Sequence, residues 1–291
     1  MAETLSSAAA LPPALAALAA AHPPRTLSPN GSALCWREAG HTGQPALVLL
    51  HGIGSGSGSW LHQLAALGAT HRVIAWDAPG YGNSTPLAGD APHAADYAAS
   101  LAGLLEALGI AQFTLVGHSL GALVATAFAA RHGGKVSRLV LLNPARGYHH
   151  ADSELRRQKL DDRLALMDRL GPAEHARQRG PALLGPKATD EARALVIWNA
   201  SQLNPGGYAQ AARMLANGDI AGDAALYRGP VLVACGSEDR ITPEQGCRLI
   251  AAEFPHAQYQ TLADLGHASY IDAPPVVNEI LVNRLLTKDT A

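Results

Sequence analysis

The chain has 291 residues, 48% hydrophobic and 16% charged, with a formal net charge of -2; that length supplies a sizeable core, as one large domain or one domain carrying an insertion. A near-neutral balance without a polybasic tract argues against nucleic acid or an anionic membrane surface as partner, and no apolar run approaches the roughly 20 residues that span a bilayer. Three widely spaced cysteines (Cys35, Cys235 and Cys247) form no CxxC pair, so neither a disulfide framework nor a zinc site is suggested, and a reducing cytoplasm is the simplest setting.

The alanine-rich start, residues 1–24, carries Glu3, lacks a basic leading region and is interrupted by Pro12 and Pro13. It reads as a loose or helical extension rather than a secretion signal. Brief apolar runs bounded by turn residues follow at 46–52, 72–84, 112–119, 136–144, 229–239 and 257–267. Such runs read as strands, and continuous ones suit a parallel sheet covered on both faces. Helical spacing lies between and after them: Tyr97, Leu101, Leu104, Leu105 and Leu108; then Leu120, Leu123, Val124, Ala127 and Phe128; later Val277, Ile280, Leu281 and Leu285. The alternation predicts an open α/β sheet. Residues 145–225 break the rhythm. They hold 21 of the 46 Lys, Arg, Asp and Glu residues, with helix-like stretches such as 153–171 and no clear strand. The charges nearly balance, as solvated helix faces would. The expected organisation is an extension (1–24), a core (25–144 and 226–291) and a helical insertion (145–225), most simply a lid over one end of the sheet.

The motif with chemical content is "GHSLG", residues 117–121. G-x-S-x-G between a strand and a helix is a nucleophile elbow, a sharp turn that crowds both flanks and exposes the serine. Ser119 could instead simply cap the helix; the strand before it and the helix after it favour the nucleophile. A serine hydroxyl needs a base, and the base an orienting acid. His267 follows the last apolar run on a Gly-flanked loop, and Asp239 follows the preceding run. Both therefore fall on the sheet edge that carries Ser119, where open α/β sheets place ligands.

The ordered motifs "HGIGSGSGSW", "DAPGYGNS", "GHSLGA", "GSEDRITP" and "GHASY", from about residue 46 to 270, resemble cofactor-independent α/β-hydrolases of the esterase, lactonase and haloperoxidase-like branch. The resemblance implies a mostly parallel eight-stranded sheet flanked by helices, with a helical lid after the sixth strand. It implies a catalytic triad of Ser119, Asp239 and His267, in the chain order of that superfamily. Acyl transfer also needs rigid N–H donors for the developing oxyanion. One is expected from Leu120, directly after the nucleophile, and the second, by similarity, from Ile53. Neither cofactor nor metal is implied.

Other residues carry weaker expectations. His51 reads as a structural hydrogen-bonding histidine, and the side chain of His118 is expected to point away from the site. Glu238 is a lesser candidate for the acid. Asn143 occupies the acid position of some relatives but cannot ionise. Asp77 reads as a loop-organising carboxylate. Residues 149–152 have metal-ligand residue types without zinc spacing, and the Gly-Ser run at 54–59 lacks a phosphate-loop ending. Trp60, Trp198, Leu203, Tyr208 and Met214 are candidate walls of the substrate pocket, although packing accounts for each at least as well. The expected substrate is a small to medium, largely apolar carboxylic ester or lactone. The alternatives are a carbon–carbon hydrolase of ring-cleavage products, a perhydrolase or haloperoxidase-like enzyme, and, outside catalysis, a ligand receptor on the same fold. The sequence is silent on oligomeric state.

Overall fold

The computed structural model describes residues 10–29 and 31–286, with side chains described as far as residue 282. Eight strands form one sheet: β1 (Arg25–Leu27), β2 (Leu34–Ala39), β3 (Ala46–Leu50), β4 (Arg72–Asp77), β5 (Phe113–His118), β6 (Val136–Leu142), β7 (Val231–Gly236) and β8 (Ala257–Leu262). Their order across the sheet is β1-β2-β4-β3-β5-β6-β7-β8. β1 and β2 join antiparallel, and every pair from β4 to β8 is parallel.

Parallel neighbours need long crossovers, and helices supply them. In chain order they are α1 (Pro13–Ala21), α2 (Leu61–Leu67), α3 (Ala94–Ala107), α4 (Leu120–His132), α5 (Ser153–Arg179), α6 (Asp190–Ala200), α7 (Pro205–Asn217), α8 (Ile220–Ala224), α9 (Glu244–Ala252), α10 (Ser269–Asp272) and α11 (Pro274–Leu286). Successive strand residues face opposite sides, so the sheet divides the core in two. Val48 and Leu50 of β3 join α3, α4 and α9 on one face. Leu47 and Leu49 join α1, α2 and α11 on the other. β4, β5 and β7 are buried at every position, which is why they appear in the sequence as uninterrupted apolar runs.

The six runs identified in the sequence are β3 to β8. β1 and β2 escaped that reading. β1 has only three residues and is largely exposed. β2 contains Arg37 and Glu38, which look wrong for a sheet interior. Glu38 is accommodated because its carboxylate takes Arg25 at 2.9 Å and Arg72 at 2.8 Å. The Arg37 guanidinium donates to the carbonyls of Ala19 and His22 at the end of α1. The part of the N-terminal extension at 13–21 is thus helical and docked, with Leu15 fully buried; residues 1–9 lie outside the described residues.

Between β6 and β7 the chain runs through α5 to α8. Asp152 caps α5, accepting the amides of Glu154 and Leu155. α5 breaks at Gly171 (φ 66°, ψ 167°), immediately before Pro172. Proline disfavours the helical conformation in the preceding residue, and glycine tolerates the positive φ that the break requires. Residues of both arms of α5 line one cavity, Lys159 to Leu166 from the first and His175 to Arg179 from the second. Among the described residues no helix is long and apolar enough to cross a membrane.

Candidate active site

The parallel strands end along one edge, and there the sheet delivers Ser119, Asp239 and His267. Ser119 sits between β5 and α4 at φ 53°, ψ -117°, a region non-glycine residues rarely occupy and one that costs about 1–3 kcal/mol. Three backbone hydrogen bonds hold it there. Its N–H donates to Leu142 O (3.1 Å), and its carbonyl accepts from Ala122 N (3.0 Å) and Ala145 N (3.1 Å). The flanking glycines are required by space. A Cβ on Gly117 would lie 2.6 Å from Gly121 O, and one on Gly121 would lie 2.6 Å from Leu50 O. Helix α4 therefore starts directly against β5 and β3, which aims the serine out of the sheet edge.

His267 Nε2 lies 2.9 Å from Ser119 Oγ, and His267 Nδ1 lies 2.8 Å from Asp239 Oδ2. An ionised carboxylate only accepts, so Nδ1 carries the proton. Nε2 then offers its lone pair to the serine hydroxyl. Asp239 is saturated with donors. Oδ1 accepts from the amides of Ile241 (2.8 Å) and Thr242 (2.9 Å). Oδ2 accepts in addition from Asn143 Nδ2 and Thr242 Oγ1, both at 2.8 Å. Burial alone would raise its pKa, but the hydrogen bonds from His267, Thr242 and Asn143 outweigh burial and hold it at about 2. Glu238, the lesser candidate, is not the partner of His267.

The peptide between Gly52 and Ile53 is locked by its neighbours. The Gly52 carbonyl accepts from His51 Nδ1 at 2.8 Å and from Ser55 N at 3.2 Å. His51 Nε2 in turn accepts from Ala78 N at 3.1 Å, which fixes the tautomer. A trans peptide points its N–H opposite its C=O, so the Ile53 amide is turned away from His51. Gly52 presses against Ser119; a Cβ there would lie 3.0 Å from Ser119 Cβ. The amides of Ile53 and Leu120 have no protein acceptor among the described residues. Asp77 organises this loop from below, accepting Ser57 N (2.7 Å) and Ser57 Oγ (2.9 Å).

His118 departs from expectation. Its side chain does not turn away from the site: its ring centroid is 4.9 Å from that of His267, and it meets Tyr270 edge-on. Its Nε2 donates to the His267 carbonyl at 2.9 Å. Burial, then the neighbouring His267, lowers its pKa to about 3. His118 is therefore a neutral clamp on the main chain of His267.

A cavity of about 590 Å³ opens onto Ser119 and His267. Of the five predicted wall residues only Tyr208 lines it. Trp60 is fully buried and stacks on Tyr270 at 3.9 Å. Leu203 and Met214 are buried in the core, and Trp198 packs over Gly58. These four residues match the packing alternative: Trp60 fills the core beside Tyr270, and Trp198, Leu203 and Met214 pack the insertion against the rest of the fold. The walls instead include Tyr148, Leu166, Val196, Leu215, Ile250 and Ile271. In the 149–152 stretch, His150 bonds Asp219 at 2.9 Å. No group of residues suited to a metal occurs among the described residues.

Residues 45–274 match the family model described as alpha/beta hydrolase fold. The chain belongs to that family. Among curated α/β-hydrolase relatives, a protein of Enterobacter cloacae named "Putative carbamate hydrolase RutD" is 29% identical over 84% of this chain and 92% of its own. Among solved structures, a malate-bound thermophilic esterase from Thermogutta terrifontis aligns with a TM-score of 0.79 and 26% identity, over 90% of this chain and 98% of the esterase. The enol-lactonase of Burkholderia xenovorans aligns with a TM-score of 0.73 and 25% identity, over 90% of this chain and 100% of the lactonase.

Two residues of this α/β-hydrolase site were not legible as participants. Asn143, held at φ 48°, bridges Asp239 to Ser269 Oγ, which donates to its Oδ1 at 2.8 Å. Thr242 braces both Asp239 and His267, its Oγ1 lying 3.1 Å from His267 Nδ1. Its signal in the sequence is the Asp-x-x-Thr spacing of an Asx turn, in which the carboxylate accepts amides two and three residues on. The insertion is fastened to the histidine loop as well. Ala268 N donates to Leu183 O (2.8 Å), and Asp272 Oδ2 accepts from Gly185 N (2.8 Å) and Gly266 N (2.7 Å).

Proposed function

We propose that this α/β-hydrolase cleaves small to medium carboxylic esters or lactones through an acyl-enzyme on Ser119. The observation that carries this reading is the hydrogen-bonded series Ser119–His267–Asp239, at 2.9 and 2.8 Å, facing the 590 Å³ cavity. A cavity of that size suits a small to medium ligand. His267 Nε2 takes the hydroxyl proton as Ser119 Oγ bonds to the carbonyl carbon. The carbonyl oxygen becomes an oxyanion facing the amides of Leu120 and Ile53, which are already oriented and lack competing acceptors. Collapse breaks the carbon–oxygen bond, and the proton on His267 passes to the departing oxygen. Water then attacks the acyl-enzyme with His267 again as base, returning Ser119 and releasing the acid. Asp239 holds the required tautomer throughout. The helical insertion serves as the lid, since segment 183–187 is tied to the histidine loop.

The relatives named for ester, lactone and carbamate chemistry all point to a carbonyl flanked by a heteroatom, so the assay spans all three. Wild-type protein turns over p-nitrophenyl esters or simple lactones, and a fluorophosphonate labels Ser119. Ser119→Ala abolishes labelling and lowers kcat/KM by about 10⁴-fold or more. Turnover surviving that substitution would remove Ser119 as nucleophile; labelling without turnover of any ester, lactone or carbamate would favour a receptor.

A further inference from the structure

The cavity walls carry more positive charge than the chain as a whole. Arg146, Lys159, Arg163, Arg179 and Arg240 line it, against one carboxylate, Asp162. Arg146 is engaged by Glu253 at 3.3 Å. The other four cations have no ion-pair partner among the described residues, in a protein whose net charge is -2. The helix α5 sorts its charges by face. Lys159, Asp162, Arg163 and Leu166, at helical spacing, meet the cavity. Glu154 and Asp161 pair with Arg157, and Glu174 with Arg177, so these three acids are engaged by cations that do not line the cavity. Lys159, Asp162 and Arg179 reach the cavity from exposed positions, Arg163 from a half-buried one.

Arg163 is half-buried. It is close enough to oppose the effect of burial on the Tyr81 hydroxyl, which donates to the Ile53 carbonyl at 2.9 Å. His175, from the second arm of α5, also lines the cavity at 7% exposure, and its Nδ1 has no partner. Burial, then Arg179 and Arg163, lowers its pKa. The result is a neutral imidazole with an unsatisfied polar atom beside two guanidinium groups. An unpaired buried polar atom is costly unless a ligand satisfies it.

We infer that the substrate carries a negative charge besides its scissile carbonyl, and that Arg163, Arg179 and Lys159, with His175, receive it at the insertion side of the cavity. Guanidinium groups bind planar carboxylates through paired hydrogen bonds, so the class is a carboxylate-bearing ester or lactone. The apolar walls accommodate the rest of the molecule. This inference rests on Ser119 being the nucleophile.

The test measures kcat/KM for matched pairs at low salt. One pair places the carboxylate in the acyl chain (p-nitrophenyl monoesters of four- to six-carbon diacids against uncharged esters of equal length). The other places it in the alcohol chain (acetates of ω-hydroxy acids against alkyl acetates). At least one pair favours the anion tenfold or more. Arg163→Gln lowers that preference at least tenfold, and Arg163→Lys retains part of it. Asp162→Asn raises it a few-fold, a direction that a purely structural role would not produce. Should Arg163→Gln fail to fold, raising KCl to 0.5 M with wild-type protein erodes the preference by screening. Equal turnover of both members of both pairs, by protein whose Ser119 is labelled and active, overturns the inference alone. Absence of labelling and of all turnover overturns the hydrolase reading beneath it.

Discussion

His267 and His175 line one cavity, the first from the loop after β8 and the second from α5. His267 has a carboxylate behind one nitrogen and a serine before the other. His175 has no partner for Nδ1, and its charged neighbours are arginines. The same contrast runs through their surroundings. At the sheet edge, Asp239, Asn143, Thr242 and His51 are cross-braced by hydrogen bonds of 2.7–3.2 Å. On the insertion side, Lys159, Arg163 and Arg179 line the cavity with no ion-pair partner among the described residues, while Arg146 is held by Glu253. One wall fixes atoms in place; the other supplies a field. Bond making needs the first, because small misplacements are costly. Recognition of a charged group can use the second, because Coulomb attraction falls slowly with distance in a low-dielectric cleft.

Changes at the sheet edge should therefore act on kcat, and changes on the insertion side on the choice of substrate. The largest effect after loss of the nucleophile is expected for Asp239→Asn. The amide would present a donor to His267 Nδ1 and favour the wrong tautomer, lowering kcat by about 10⁴-fold with little change in KM. A variant that loses only KM would break the division between the walls. Next comes His51→Ala, which frees the Gly52 carbonyl and lets the Ile53 amide drift. A fall in kcat of about 10²-fold is expected, with the fluorophosphonate still labelling Ser119. Unchanged kcat would show that Ser55 alone suffices to hold that peptide.

The smallest effect concerns acid stability. Asp239 is held at about 2, below its ordinary 3.8. A depressed carboxylate contributes stability that is complete above its unfolded value and is lost as pH falls through its folded one. The window is thus about pH 4 down to 2, and the contribution about 2 kcal/mol. Chemical unfolding of wild type and Asp239→Asn at pH 6 and pH 2 should show their difference shrinking by about that amount. A constant difference would mean that the bracing of Asp239 is no stronger in the folded protein than in water.

The sequence by itself determined the central strands and which serine, histidine and carboxylate come together at the sheet edge. Continuous apolar runs specify doubly covered strands, and strand ends in a parallel sheet share one edge. Ser119, Asp239 and His267 each follow a strand of that sheet, so their meeting was legible from chain order and the family resemblance together. Strand β2 was not, because Arg37 and Glu38 become acceptable only once Arg25, Arg72 and the end of α1 come round to partner them. The inward turn of His118 was hidden for the same reason: its acceptor, the His267 carbonyl, lies 149 residues away. The balanced charge count of residues 145–225 likewise says nothing about which face each charge takes. That was decided by the break at Gly171 and by the docking of the insertion against the sheet edge. Periodicity fixes local conformation, whereas side-chain partners and the sign of a cavity are set by distant segments that only the folded chain brings together.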